Sequence, residues 1–256
     1  MSIHPSAVIH ENAVIGEDCE IGPYCVVGER VTLGRACRLH SHVVIDGCTV
    51  LGAENEIYPF ASIGLRTQDL KWSRGETWTR IGDGNTLREY VTIHSATNDG
   101  EATVLGSGNN LLAYAHVAHD CQLGNHIIMS NVATLAGHVE VEDHAIIGGV
   151  AAVHQFCRIG TMSIIGGCSK VVQDVPPYML ADGNPAATRT LNKEGLKRNN
   201  IGEPAQKALK LAHRVLFRSE MNFSRAIEKA KAEIEACPEV KHLLEFVQSS
   251  QRGIAK

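Results

Sequence analysis

Residues 133–160 read ATLAGHVEVEDHAIIGGVAAVHQFCRIG, and an aliphatic residue returns at every sixth position of this stretch. The aliphatic positions are Leu135, Val141, Ile147, Val153 and Ile159. Gly often follows the aliphatic residue, and a small residue often stands two places before it. A period of six fits neither the 3.6-residue period of a helix nor the two-residue period of an isolated strand.

The same phase extends outward through most of the chain, from Ile3 to Val171. Regular repetition of this kind is typical of a solenoid, and here three hexads would form one triangular coil. The aliphatic residue would point inward, and Gly would permit the turn. The sequence therefore predicts an all-β parallel β-helix.

Two polar stretches, 65–80 and 95–103, interrupt the period and are predicted to project from the prism as loops. The first loop contains both tryptophans, Trp72 and Trp78. Loops held by a rigid scaffold often carry binding residues.

The charge of the chain is unevenly distributed. Residues 1–184 are acidic, whereas residues 185–256 contain 14 Lys and Arg against 8 Asp and Glu. We therefore predict a β-helix over 1–184 and an α-helical C-terminal domain over 185–256. The basic domain suits an acidic or phosphorylated partner. Apolar spacing predicts helices over 192–199, 204–219, 223–236 and 239–251.

The composition and the absence of certain motifs argue against several classes of protein. No apolar run is long enough for a membrane span, and the N-terminus does not resemble a secretory signal. The sequence contains no CxxC pair, P-loop, Ser-centred elbow or Rossmann fingerprint. It also has no basic stripe with interleaved aromatic residues, which argues against nucleic-acid binding. We expect a reduced, cytoplasmic protein.

Histidines cluster when the repeat is folded into coils. Residues 18 apart should stack, which places His119, Gly137 and Gln155 in one column. The columns beside it contain further polar residues, so one edge of the prism would collect side chains from three successive coils. These side chains are those of His119, Asp120, His138, His154 and Gln155. Gly149 and Gly167 would likewise stack and leave a groove free of side chains.

Three interpretations of this edge remain open from spacing alone. In the first, His119 is a general base, Asp120 orients its ring and the Gly137 amide faces an oxyanion. In the second, His116, His119 and His138 bind a metal ion. In the third, these polar residues form an inert subunit interface.

Specific strings throughout the chain resemble one family of hexapeptide-repeat enzymes, the UDP-N-acetylglucosamine 3-O-acyltransferases of lipid A biosynthesis. A general hexapeptide protein would share the period but not these strings. They are NEIYPFASIG (55–64), QDLKW (68–72), VTIH (91–94), NNLLAYAHVAHDCQLGN (109–125), ATLAGHV (133–139), AIIGGVAAVHQFCRIG (145–160), GGCSKVVQDVPPY (166–178) and NKEGLKR (192–198).

The resemblance implies a left-handed β-helix, a homotrimer with active sites between subunits, and transfer of an R-3-hydroxyacyl chain from acyl carrier protein to the glucosamine 3-hydroxyl. It implies that His119 is the general base, that Asp120 supports it and that the Gly137 amide binds the oxyanion. Gly149 and Gly167 would form the acyl groove, and a Gly at 167 suits longer chains. The remaining substrate-binding positions would be Gln68, Asp69, Lys71, His116, His138, His154, Gln155, Asn192, Glu194 and Arg198.

This chemistry needs one proton transfer and no redox step, so we expect neither a metal nor an organic cofactor. Three other classes of protein share parts of this pattern. An N-acyltransferase of the same pathway would carry an additional N-terminal domain, a carbonic-anhydrase-type enzyme would bind zinc through three His, and a trimeric scaffold would have no activity.

Overall fold

The computed structural model describes residues 1–256 and contains three long sheets wound from successive short strands. Each coil contributes one strand to each sheet, and almost every neighbouring pair is parallel. The register repeats every 18 residues where no loop intervenes, so that Ile128 pairs with Ile146 and Ile146 with Ile164. The predicted parallel β-helix with three hexads per coil is therefore confirmed.

The first sheet has 11 strands and is the one that continues toward the C-terminal helices. In hydrogen-bonded order its strands are Ser2–Ile3, Glu20–Ile21, Arg38–Leu39, Glu56–Ile57, Thr86–Leu87, Asn110–Leu111, Ile128–Met129, Ile146–Ile147, Ile164–Ile165, Met179–Gly183 and Ala186–Leu191.

The second sheet has nine strands and the third has eight. The second consists of Val8–Ile9, Val26–Val27, Val44–Ile45, Ser62–Leu65, Thr92–His94, His116–Val117, Thr134–Leu135, Ala152–Val153 and Lys170–Val171. The third consists of Val14–Ile15, Val31–Leu33, Cys48–Leu51, Trp78–Ile81, Ala102–Leu105, Gln122–Leu123, Glu140–Val141 and Arg158–Ile159.

The aliphatic residues of the repeat form a continuous core of 41 buried residues inside the prism. The small residue of the hexad is also buried, and where it is Cys its thiol can donate to a backbone carbonyl. Cys121, for example, donates to the carbonyl of Ala136 at 3.1 Å. The core is therefore a stack of similar layers, each buried by the coils on either side of it.

The glycines of the repeat have a different role from the one predicted. The left-handed backbone conformation lies at the second turn residue, which is usually not Gly, as in Asp120, His138 and Phe156 with φ near +60°. Gly16 and Gly34 have ordinary φ values, but a Cβ on either would collide with the backbone of the next coil. The expectation that Gly permits the turn was wrong, because close stacking of the coils is what excludes a side chain.

Both loops are slightly shorter than predicted, the first at both ends and the second only at its end. The first lies between strands Ser62–Leu65 and Trp78–Ile81, and the second lies between Thr92–His94 and Ala102–Leu105. Trp78 therefore belongs to a strand rather than to the loop. In that strand it pairs with Cys48 and Ala102.

Four helices follow the prism: α1 (Lys193–Arg198), α2 (Glu203–Phe217), α3 (Phe223–Glu233) and α4 (Pro238–Ser249). Their buried faces pack with the last strands, including Met179 and Leu191, in a second core of 19 residues. Residues 186–191, which we assigned to the helical domain, instead form a strand antiparallel to Met179–Gly183, because a tight turn returns the chain along the edge of the sheet. The domain boundary itself stays a prediction. None of the helices has the length and apolarity needed to cross a membrane.

The end of the chain returns to the prism. The amide of Asp174 donates to Gly253, and the amide of Ala255 donates to Asp174, both at 2.9 Å. Ser250 donates to the Asp174 carboxylate at 2.7 Å. This contact holds the C-terminal tail against the last coils, beside the edge that carries the histidines.

Candidate active site

The histidine column lies along one edge of the prism, as the 18-residue register predicts. The amide of His138 donates to the carbonyl of His119 at 3.0 Å, and the amide of Phe156 donates to the carbonyl of Gly137 at 3.2 Å. Three successive coils therefore present their side chains at one edge.

His119 and Asp120 form a close pair. The Nδ1 atom of His119 lies 2.7 Å from Oδ2 of Asp120. A carboxylate at this distance favours the tautomer with the proton on Nδ1, which leaves the lone pair of Nε2 available as a base. The left-handed backbone of Asp120 points its short side chain back at the preceding residue. The arrangement is that of a general base with an orienting carboxylate.

The second loop buries the carboxylate of this pair. The amide of Thr97 donates to both oxygens of Asp120, at 3.2 and 3.3 Å. The amide of Asp120 donates to the hydroxyl of Thr103 at 2.8 Å. Asp120 is 8% exposed, so the Thr97 amide takes the place of water that a free carboxylate would bind.

His138 lies on the other side of the carboxylate. Its Nε2 atom is 3.5 Å from Oδ2 of Asp120, and its ring stacks on Phe156 with centroids 4.6 Å apart. One ring nitrogen from each of His119 and His138 and one carboxylate oxygen of Asp120 lie within 4.8 Å of one another. A metal ion could therefore contact this set of side chains, which differs from the predicted set because Asp120 takes the place of His116.

His116 is half-buried and lies beside the pair rather than within it. Its Nδ1 atom lies 2.7 Å from the hydroxyl of Thr92, and its ring meets His94 edge to face. Burial lowers the pKa of His116 to about 4, with smaller contributions from the charges of His94 and His119. Burial also lowers the pKa of His94. Both rings are therefore neutral at pH 7, which suits hydrogen bonding rather than charge stabilisation.

Gly137 lies under the ring of His119. A Cβ on Gly137 would collide with Cε1 of that ring. The Gly137 amide donates to no group of the chain, whereas its carbonyl accepts from Phe156. An unpartnered amide beside the base is the feature that an oxyanion site requires.

His154 and Gln155 are exposed on the next coil. The Nη2 atom of Arg252 lies 3.3 Å from Nδ1 of His154 and donates to the carbonyl of Val172 at the same distance. The C-terminal tail therefore reaches one of the predicted substrate-binding residues.

The predicted loop residues Gln68, Asp69 and Lys71 lie near the start of the first loop. The carboxylate of Asp69 accepts from the amide of Lys71 at 2.9 Å, and the Asp69 amide donates to Thr67 at 3.0 Å. The side chains of Gln68 and Lys71 are exposed. No direct hydrogen bond joins these three residues to His119 within one chain.

The three predicted residues of α1 have different environments. Asn192 is buried and caps the helix, since its side chain accepts from the Gly195 amide at 2.9 Å and donates to the Met162 carbonyl at 2.8 Å. Glu194 and Arg198 are exposed and form no ion pair within the chain. This structure therefore gives Asn192 a structural role, and it does not bring α1 into contact with His119.

Gly149 and Gly167 stack on adjacent coils, as the register predicts. A Cβ on Gly167 would lie 3.3 Å from the carbonyl oxygen of Gly149. The two glycines therefore lie against each other with no side chain of their own between them.

Sequence reasoning missed Thr97, Thr103, His94 and Arg252. Thr97 and Thr103 lie in or beside the second loop, where the period no longer predicts neighbours. His94 ends the VTIH motif, which could have indicated it. Arg252 is 98 residues from its partner His154, and nothing in the local sequence signals that contact.

Comparison with known proteins identifies the family. A family model described as "Udp N-acetylglucosamine O-acyltransferase; Domain 2" matches residues 174–255, and one described as "GMPPB C-terminal domain" matches residues 3–98. The acyl-[acyl-carrier-protein]–UDP-N-acetylglucosamine O-acyltransferase of Thermodesulfovibrio yellowstonii is 48% identical over 255 residues, which is 99% of each chain.

Solved structures with similar folds belong to enzymes of the same kind as this relative. LpxA from Acinetobacter baumannii is 42% identical, with a TM-score of 0.96 over 100% of both chains. The UDP-N-acetylglucosamine O-acyltransferase (LpxA) from Moraxella catarrhalis is 41% identical, with a TM-score of 0.94 over 100% of both chains. The left-handed parallel β-helix followed by a small helical region is confirmed. The chain belongs to the acyl-[acyl-carrier-protein]–UDP-N-acetylglucosamine O-acyltransferase family, and it is an acyltransferase.

Proposed function

We propose that the protein transfers an R-3-hydroxyacyl chain from acyl carrier protein to the glucosamine 3-hydroxyl of UDP-N-acetylglucosamine, the first step of lipid A biosynthesis. The names of its full-length relatives support this reaction. The observation that carries the mechanism is the 2.7 Å contact between His119 and Asp120, which leaves Nε2 of His119 free to act as a base.

The reaction then follows from the roles of three groups. Nε2 of His119 removes the proton of the 3-hydroxyl as that oxygen attacks the thioester carbonyl. The tetrahedral oxyanion accepts a hydrogen bond from the Gly137 amide, and Asp120 stabilises the imidazolium. When the carbon–sulfur bond breaks, His119 returns the proton to the departing thiolate. The ester and the free thiol of the carrier are the products, so no proton is left over and no redox cofactor is needed.

A homotrimer would complete the site. Gln68, Lys71, Glu194 and Arg198 are exposed and do not contact His119 in one chain. We propose that they reach the substrate from a neighbouring subunit, with the active site between two prisms. A closed trimer would give three equivalent sites.

The surface of α2 supports docking of an acidic carrier protein. Lys207, Lys210, Arg214 and Arg218 lie on one exposed side of this helix and surround Leu211, which is 41% exposed. Positive charges around an apolar residue match an acidic helix that presents an apolar side chain. The eight cysteines are free, which suits a reducing compartment, and we place the reaction in the cytoplasm.

The decisive experiment is a mass-spectrometric assay with UDP-N-acetylglucosamine and a series of R-3-hydroxyacyl carrier proteins. We expect acylated sugar nucleotide with the wild type and a loss of about 10²–10⁴-fold with His119→Ala. The oligomeric state is measured on both proteins by light scattering. Failure of the wild type to acylate the sugar while trimeric would contradict the proposal.

Two control measurements separate the rivals. Prior treatment with a chelator should leave the rate unchanged, whereas loss of activity and its rescue by zinc would favour a metal site. Acylation of only the 3-amino sugar nucleotide would show that the acceptor is the 3-amino analogue. If neither sugar nucleotide is acylated, the result would favour a trimeric scaffold without enzymatic activity.

A further inference from the structure

Two buried hydroxyl groups connect the first loop to the catalytic pair. The hydroxyl of Thr97 lies 3.1 Å from Nδ1 of His119, and it lies 3.2 Å from the hydroxyl of Thr67. Thr67 in turn accepts from the amide of Asp69 at 3.0 Å. Thr67 is 5% exposed and Thr97 is 6% exposed, so water does not compete for these contacts.

The hydrogen-bond direction is fixed at the two ends of this chain of contacts. The carboxylate of Asp120 can only accept, so the proton of His119 lies on Nδ1 and Thr97 presents an oxygen lone pair to it. The amide of Asp69 can only donate, so Thr67 accepts from it. Between Thr97 and Thr67 either hydroxyl can donate, and both directions are compatible with the two ends.

Thr97 contacts both members of the pair at once. Its amide donates to the carboxylate of Asp120, and its hydroxyl can share the Nδ1 proton of His119. The imidazole is therefore held by two acceptors on one side, which restricts its rotation about χ2. A ring held in this way keeps Nε2 in one position for the incoming hydroxyl.

We propose that Thr97 is a positioning residue for His119, and that Thr67 links it to the loop carrying Gln68, Asp69 and Lys71. The proposal rests on the function proposed above for His119. Thr67 accepts from the amide of Asp69, and Asp69 accepts from the amide of Lys71. Sugar-nucleotide binding by this loop in one site of the trimer would therefore fix Thr67 and, through Thr97, the His119 ring of the same chain, which serves the adjacent site.

The test uses four variants of the full-length protein. Thr97→Val removes the hydroxyl but keeps the shape and the amide, and Thr97→Ser restores the hydroxyl. Thr67→Val removes the link to the loop. Thr79→Val is the matched control, because Thr79 is a fully buried threonine in a neighbouring strand whose hydroxyl has no hydrogen-bond partner.

We expect Thr97→Val to lower kcat about tenfold, with little change in the KM for the sugar nucleotide. Thr97→Ser should recover most of the rate. Thr67→Val should lower kcat and also raise the KM for the sugar nucleotide, because it disturbs both the base and the loop. Thr79→Val should match the wild type. Thermal melting and light scattering show whether each variant keeps its fold and oligomeric state.

The tautomer of His119 supplies a readout that does not depend on activity. In ¹⁵N-histidine-labelled protein, the His119 signals are assigned by their absence in His119→Ala. We expect the Nδ1–H tautomer in the wild type and in Thr97→Ser, and broadened or mixed signals in Thr97→Val. Thr79→Val should leave these signals unchanged.

Two results would overturn the proposal. One is a folded Thr97→Val protein with the wild-type kcat and the wild-type His119 signals. The other is an equal loss of kcat in Thr79→Val, which would show a general packing effect. A wild type with no acyl transfer would instead contradict the proposed function, and the His119 signals would still report whether Thr97 positions the ring.

Discussion

The imidazole of His119 lies directly over Gly137, so that a Cβ at Gly137 would collide with Cε1 of the ring. Gly137 does not have a left-handed φ. The requirement for glycine is therefore one of space rather than of backbone conformation. The same small residue allows the ring to approach the edge and leaves an unpartnered amide beside the base.

Gly137→Ala should therefore damage catalysis more than folding. The added methyl group displaces the ring of His119, and we expect kcat to fall at least about tenfold, because small misplacements of a reacting group are costly. Steady-state kinetics and thermal melting check this result. Gly202→Ala is the control, since its Cβ would meet only Pro204, at an ordinary 3.7 Å. Equal kcat values for the two variants would contradict the assigned role of Gly137.

Asp120→Asn should keep the fold and lose most of the activity. Asn tolerates the left-handed conformation found at this position, where φ is +60°. Asn, however, is uncharged and has an NH₂ group in place of one carboxylate oxygen, and that group faces a donor, either the His119 ring or the Thr97 amide. We expect a loss of about 10²–10⁴-fold in kcat.

A double variant tests whether the effects of Asp120→Asn and His119→Ala on kcat are independent. If Asp120 acts only through His119, the double variant Asp120→Asn/His119→Ala should be no slower than His119→Ala alone. A further loss in the double variant would show that Asp120 has an independent role in the reaction.

The period of the sequence was enough to predict a parallel β-helix and the column of histidines along its edge. Positions 18 apart stack because parallel strands in adjacent coils pair in register, as His116 does with Thr134. His119 and Gly137 could therefore be placed together without a structure. The role of Gly16 and Gly34 was misassigned because the pattern shows that glycine recurs but not which neighbour excludes a side chain.

The parts of the site outside the period could not be predicted. Thr67 and Thr97 lie in loops, and their contact depends on how two irregular segments fold against each other. Arg252 reaches His154 only because the tail returns to the prism after the last helix. Such contacts are set by tertiary packing, which local sequence does not encode.

Acid should destabilise the protein through its buried histidines. Burial lowers the pKa of His116 from 6.5 to about 4, so the unfolded chain binds a proton that the native state excludes. The contribution of neutral His116 is therefore complete above pH 6.5 and is lost as the pH falls toward 4. One unit of pKa is worth about 1.4 kcal/mol, so the loss is about 3 kcal/mol.

Denaturant unfolding at several pH values checks this prediction. His116→Gln should flatten the decline in stability between pH 6.5 and 4. His242 provides the opposite case, because its hydrogen bond with Glu142 raises its pKa, and its contribution is present at low pH and lost as the pH rises through the folded-state pKa. An unchanged acid slope in His116→Gln would show that this ring is not the source.

The basic side of α2 should control the affinity for the carrier and not for the sugar nucleotide. The double variant Lys210→Glu/Arg214→Glu reverses two exposed charges. We expect the KM for the acyl carrier protein to rise about tenfold at low salt and by less at high salt. The double variant Lys231→Glu/Lys241→Glu, on α3 and α4, is the control, because it also reverses two exposed charges. Equal effects of the two double variants would show that only net charge matters.

The stacked glycines should set the length of the acyl chain. A Cβ on Gly167 meets only the backbone of Gly149, at 3.3 Å from its carbonyl oxygen, so a side chain there can extend into the groove without breaking the coil. Gly167→Met should shift the preferred donor to a chain several carbons shorter, and Gly167→Ala should give a smaller shift. Because each methylene excluded from an apolar site is worth about 1–3 kcal/mol, the shift should be visible as a new maximum in kcat/KM across a series of acyl carrier proteins. An unchanged maximum with a uniformly lower rate would place the end of the acyl chain elsewhere.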